Sequence, residues 1–86
     1  MPRALSIQRA TVPQKDRSDY LEKLRVKRDY YTSKSCRFWV YEDSSLPGAF
    51  FEFVEAGDPD VLSGALGKSP EFVLDPSRIY TEVEIE

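Results

Sequence analysis

The chain has 86 residues, of which 41% are hydrophobic and 31% charged, so it is a single small domain and not a disordered tail. No apolar run approaches the roughly 18–20 residues of a membrane span, and with one cysteine, Cys36, no internal disulfide can form. The net charge of −3 is unevenly spread: residues 1–34 carry nine Lys/Arg against four Asp/Glu, a net of +5, and residues 35–86 carry three against eleven, a net of −8. A solvated basic helix accounts for the first surplus, and the start of the chain, Met1 to Ala4, has no apolar signal core, so the cytoplasm is the expected compartment. Histidine and asparagine are absent altogether.

Ala4 to Val12 is rich in β-branched residues and stops before Pro13, which predicts a first strand. Asp16 is placed to cap a helix that runs to about Ser33, with Asp19 and Glu22 near its positive end. Tyr20, Leu21, Leu24, Arg28 and Tyr31 recur at spacings of three and four and predict its buried stripe. Asp19 and Lys23 stand in the favourable i,i+4 order.

Two aromatic runs follow. Cys36 to Glu42 and Ala49 to Ala56 predict paired strands, joined by a turn from Asp43 to Gly48 in which Pro47 and Gly48 suit the central positions of type II geometry. Asp58 and Pro59 predict the cap and first residue of a short helix, with Val61, Leu62, Ala65 and Leu66 on its buried side and Gly67 at its end. Residues 68–77 are expected to be a loop holding Phe72, Val73 and Leu74. Arg78 to Ile85 alternates cleanly and predicts an edge strand.

The order is β-α-β-β-α-β, the ferredoxin-like plan: an α+β domain over 1–86, with one four-stranded antiparallel sheet and two helices on one face. Phe38 and Val40 point opposite to Trp39 and Tyr41, and Phe50 and Val54 opposite to Phe51 and Phe53. Both sheet faces are therefore apolar, and two helices cover only one. Aromatic side chains bury about 150–250 Å² each, so the other face would expose a patch of order 400 Å² or more. A second copy, packed sheet against sheet around a two-fold axis, is the expected cover.

Plan, length and the run Phe38 to Glu42 together resemble the dimeric α/β-barrel superfamily, and within it the small antibiotic-biosynthesis-monooxygenase-like proteins. The resemblance spans nearly the whole chain and rests on pattern. It implies a homodimer that holds a small hydrophobic or aromatic ligand between each sheet and its own helices or at the barrel mouth. Some members oxidise polyphenols without a cofactor, and others degrade haem. Haem degradation relies on an asparagine and an iron-ligating histidine, and this chain has neither. The cofactor-free oxygenases also use an asparagine, for which Gln8 could stand in as an amide donor. The expected function is thus a ligand-binding dimer, with or without cofactor-independent monooxygenase activity. The alternative is a non-catalytic dimerisation or metabolite-sensing module.

Neither a cofactor nor a metal is expected. Metal carriage and iron–sulfur sites need more than Cys36, and a Ser-His-Asp set needs histidine. Phe51 to Val54 partly echoes an RNA-recognition motif, but Glu52 would set a carboxylate beside phosphate and the sequence pI is near 5.0, so no nucleic-acid partner is expected. The candidate ligand-binding residues are Arg9, Arg37, Trp39, Tyr41, Glu52 and Tyr31. Either Arg9 or Arg37 could pair with Glu52 on a sheet face, fixing dimer register or holding an anionic oxygen while Trp39 stacks on a ring. Tyr30 and Tyr31 are core packing or pocket walls. Glu42 and Asp43 read as a solvated loop, and Cys36 as inert packing with no histidine to activate it.

Overall fold

A computed structural model of the chain describes residues 2–69, 73 and 75–85. The elements are β1 (Ala4–Thr11), a 3-10 turn (Gln14–Asp16), α1 (Arg17–Ser33), β2 (Arg37–Glu42), β3 (Ala49–Ala56), α2 (Pro59–Gly67) and β4 (Tyr80–Thr81). The sheet is four-stranded and antiparallel, in the order β2-β3-β1-β4. This is the ferredoxin-like arrangement the element order predicts.

Local signals account for most of the boundaries. Asp58 caps α2, its carboxylate accepting from the amides of Asp60 at 2.7 Å and Val61 at 3.4 Å, and Pro59 opens the helix with φ already set. Gly48 has φ +94°, and the amide of Ala49 bonds the Leu46 carbonyl at 3.1 Å, closing the hairpin turn. The start of α1 departs from expectation. Asp16 makes no side-chain capping bond, because its backbone is already wound into the 3-10 turn, with its amide on the Pro13 carbonyl at 2.9 Å.

The last strand is much shorter than the alternation over 78–85 predicts. With Ala4 opposite Thr81 and Leu5 opposite Tyr80, Val83 would face Pro2, which has no amide to offer. The final bond joins the Glu82 amide to the Arg3 carbonyl at 2.8 Å, and beyond it Val83 and Ile85 stand exposed. On the near side, a turn that places the Arg78 amide on the Asp75 carbonyl holds the chain off β1. Phe72 and Leu74 of the expected apolar loop lie outside the described residues.

The register lays out both faces in rows. Toward the helices lie Glu42–Phe50–Ala10, then Val40–Glu52–Gln8, then Phe38–Val54–Ser6, then Ala56–Ala4. The core is concentrated at one end of this face, where Leu62, Ala65 and Leu66 of α2 meet Ala4, Val54, Ala56, Cys36 and Tyr31. On the opposite face the rows are Tyr41–Phe51–Arg9, Trp39–Phe53–Ile7 and Arg37–Glu55–Leu5–Tyr80. No helix among the described residues is long and apolar enough to cross a membrane.

Gly48 is the backbone position the hairpin depends on most. A Cβ there would stand 2.6 Å from the Val12 carbonyl oxygen, which belongs to the main-chain connection between the hairpin and β1. Gly48→Ala is expected to lower stability by about 1–3 kcal/mol, read as a lower urea midpoint with an unchanged slope.

Candidate functional site

Under the first half of α1 the apolar packing is limited to Phe50, which meets Tyr20 at 4.7 Å and lies apart from the main core cluster. There the middle row of the sheet presents Glu52, flanked by Gln8 and Val40, and α1 answers with a polar stripe. Glu52 is only 5% exposed. Its Oε2 accepts a hydrogen bond from the Tyr20 hydroxyl at 2.8 Å, and its Oε1 accepts one from Lys27 Nζ, also at 2.8 Å. Taking a carboxylate out of water costs several kcal/mol, and these two charge-assisted bonds are what offset that cost.

The helix stripe therefore differs from the expected one. Arg28 points to solvent, and Lys27, seven residues after Tyr20 and four before Tyr31, faces the sheet. The physical reason is the partner: Lys27 finds a buried carboxylate, while Arg28 reaches only its neighbour Asp29 at 3.5 Å. The spacing that marks Tyr20 and Tyr31 as inward also marks Lys27, but a lysine is not read as inward unless the facing acid is known.

Around this pair lies a cavity of about 370 Å³ between the sheet and α1, with Ser69 and Val73 beyond α2 at its side, within the usual size range of small-molecule sites. Gln8, Tyr20, Lys23, Lys27 and Glu52 form its polar side. Tyr31, Phe38, Val54 and Val73 form its apolar side, with Ser69 at their edge. The Tyr31 hydroxyl donates to Ser69 Oγ at 3.1 Å, and its ring stacks on Phe38 at 5.5 Å. Burial raises the Tyr31 phenol above its ordinary pKa. Burial, and then the Glu52 carboxylate, push Tyr20 much further up, so at neutral pH Tyr20 is a proton-bearing donor and not a base. The carboxylate has about four acceptor positions and two are occupied, which leaves it able to accept from a bound hydroxyl.

The six expected ligand residues divide between the two faces. Glu52 and Tyr31 line the cavity. Arg37, Trp39 and Tyr41 belong to the opposite face, and Arg9, though it borders the cavity, carries its guanidinium 5.3 Å over the Phe51 ring on that same opposite face. The expected pairing of Arg9 or Arg37 with Glu52 is not formed, because strand alternation puts those arginines on the other side of the sheet. Arg37 instead lies over Trp39 at 5.4 Å and reaches Glu55 at 3.4 Å, while Arg3 holds Glu55 at 2.7 Å and keeps its carboxyl below the ordinary range.

This second face is a continuous aromatic surface. Trp39 stacks on Phe53 at 5.4 Å and 10°, and Tyr41 meets the same ring edge-on at 5.7 Å. Tyr41 is 64% exposed, while Trp39, Phe51 and Phe53 are half-buried, with Trp39 bordering Leu24, Arg25 and Arg28 at the edge of α1. Glu42 and Asp43 are structural. Glu42 takes both Arg17 nitrogens at 2.8 and 3.0 Å and the Gly48 amide at 2.9 Å, which hold its pKa down to about 2. Asp43 bonds the Ser45 hydroxyl and amide. Burial raises the Cys36 thiol above its ordinary pKa, the opposite of an activated nucleophile. Among the described residues, no group of three or more His, Cys, Asp or Glu side chains could hold a metal ion.

Comparison with protein-family models, with curated proteins and with solved structures returned no match in any of the three.

The buried pair makes a sharp energetic prediction. Lys27→Met strands the Glu52 charge and is expected to cost about 3 kcal/mol, whereas adding Glu52→Gln to it should recover most of that loss. Urea unfolding of the two single variants and the double variant measures the coupling. Additive losses would mean that the pair does not act as a unit.

Proposed function

We propose that this protein is a homodimeric ligand-binding protein of the dimeric α/β-barrel type, similar in plan to the antibiotic-biosynthesis-monooxygenase-like proteins, and that its ligand is a small aromatic molecule held between sheet and helices. The observation that carries the reading is the division of labour across the sheet. One face combines a cavity with a hydrogen-bonded Tyr20–Glu52–Lys27 cluster, and the other is a bare aromatic surface with both signs of charge at its margin. A two-fold axis brings a surface onto itself, and a margin that carries both arginine and glutamate can satisfy itself in that operation.

The enzymatic form of this reading is a cofactor-independent monooxygenase, in which an acidic aromatic substrate, once deprotonated, itself supplies an electron to dioxygen. Glu52 is the group in the cavity with acceptor positions to spare for such a proton, and the Tyr20 hydroxyl, whose proton is donated to Glu52, orients it. The other form is a module that dimerises or senses a metabolite without turnover.

Native mass spectrometry under conditions that retain small molecules tests the proposal. The expected result is a species of twice 9.9 kDa with a discrete adduct. A bare dimer would favour the module form. Phe53→Glu should shift the population to the single-chain mass while leaving the circular dichroism folded, because it burdens only the aromatic face. A wild-type monomer at tens of micromolar would overturn the dimer.

A further inference from the structure

We infer that the cavity under α1 selects aromatic acids: planar rings carrying a carboxylate or an equally acidic group, which Lys23 and Lys27 receive. The inference rests on the cavity being a ligand site and goes further, to the charge of what it binds.

Charge balance is the first ground. The side chains that face the cavity from α1 and the sheet include two ammonium groups, Lys23 and Lys27, and one carboxylate, Glu52. Glu52 is already engaged by Lys27 and by the Tyr20 hydroxyl, so one positive charge is left over, that of Lys23 at the exposed rim of the cavity. Lys23 makes no ion pair or hydrogen bond with any described residue, although Asp19 lies one turn before it. Lys27 spends one of its three donors on Glu52, and its side chain is 17% exposed.

Position is the second ground. Lys23 and Lys27 stand one helical turn apart, about 6 Å along the axis, so both can reach one anionic group. Like charges at this spacing repel, which destabilises the bare helix slightly and is relieved when an anion arrives. The third ground is the opposite wall. Phe38, half-buried and backed by the buried Tyr31 ring and Val54, offers the apolar surface there for a ring system, and the Gln8 amide lines the cavity with a group able to bond a ring hydroxyl. Tyr20, held protonated by its surroundings, offers its hydroxyl oxygen but no negative charge. Cationic amines meet two ammonium groups against a single carboxylate, whose charge Lys27 already pairs.

The test uses purified wild-type protein and three probes of one ring size: 2-naphthoate, neutral 2-naphthol and cationic 2-(aminomethyl)naphthalene, titrated by calorimetry at neutral pH and low salt. The acid is expected to bind about tenfold or more tightly than the neutral probe, and the amine least. Lys23 is exposed, so Lys23→Met leaves the fold intact. It should weaken the acid about tenfold and leave 2-naphthol unchanged, and added salt should erode the acid's advantage. Equal affinity for acid and naphthol, or an acid affinity untouched in Lys23→Met, would overturn the anionic preference while leaving the cavity a ligand site. Tighter binding of the amine would overturn it by sign. If none of the probes binds, the cavity reading fails and this inference goes with it.

Discussion

A four-stranded sheet has two faces, and a β-α-β-β-α-β chain has helices enough for one. In this protein the central strands are apolar on both sides, so the choice of which side the helices cover decides everything else. It sends Phe50, Glu52, Val54, Phe38 and Val40 inward and leaves Trp39, Tyr41, Phe51, Phe53 and Ile7 outward. A one-residue slip in β3 would exchange Phe50, Glu52 and Val54 for Phe51 and Phe53, and the Glu52 carboxylate would leave its lysine. The large rings and the charged partner therefore enforce one register together.

The inward face is itself divided. The end beneath α2 is filled mainly by small and aliphatic side chains, with the Tyr31 ring among them. The end beneath α1 is held apart by a hydrogen-bonded acid, phenol and ammonium group. An apolar residue at position 27 would close that gap by packing; a lysine with its partner opposite keeps it open and polar. The cavity thus arises from the same interaction that fixes the helix on the sheet, which links its chemistry to the stability of the domain.

Much of this was legible in the residues. The element order, the hairpin turn at Gly48, the cap at Asp58 and the alternation of two apolar faces follow from propensity and spacing. Parity did not, because Phe38 and Trp39 are equally good inward residues until the register to β1 and the position of α1 are known. The candidate site suffered from that gap: Tyr31 and Glu52 belong to the cavity, while Arg37, Trp39 and Tyr41 belong to the bare face. Lys27 was illegible for a related reason, since its inward position depends on an acid 25 residues away in sequence. The short β4 depends on register as well, because only the pairing with β1 shows that Pro2 ends the ladder.

The central claim is that the bare face is a covered face in the working protein. Trp39 is the chain's one tryptophan and stacks on Phe53 at the β2 edge of that face, so its fluorescence reports on the claim directly. Acrylamide quenching should be weak at high protein concentration and rise on dilution, with the emission moving to longer wavelength while far-ultraviolet circular dichroism stays constant. Strong quenching that is the same at every concentration would contradict the account, because it would leave the aromatic surface open to water.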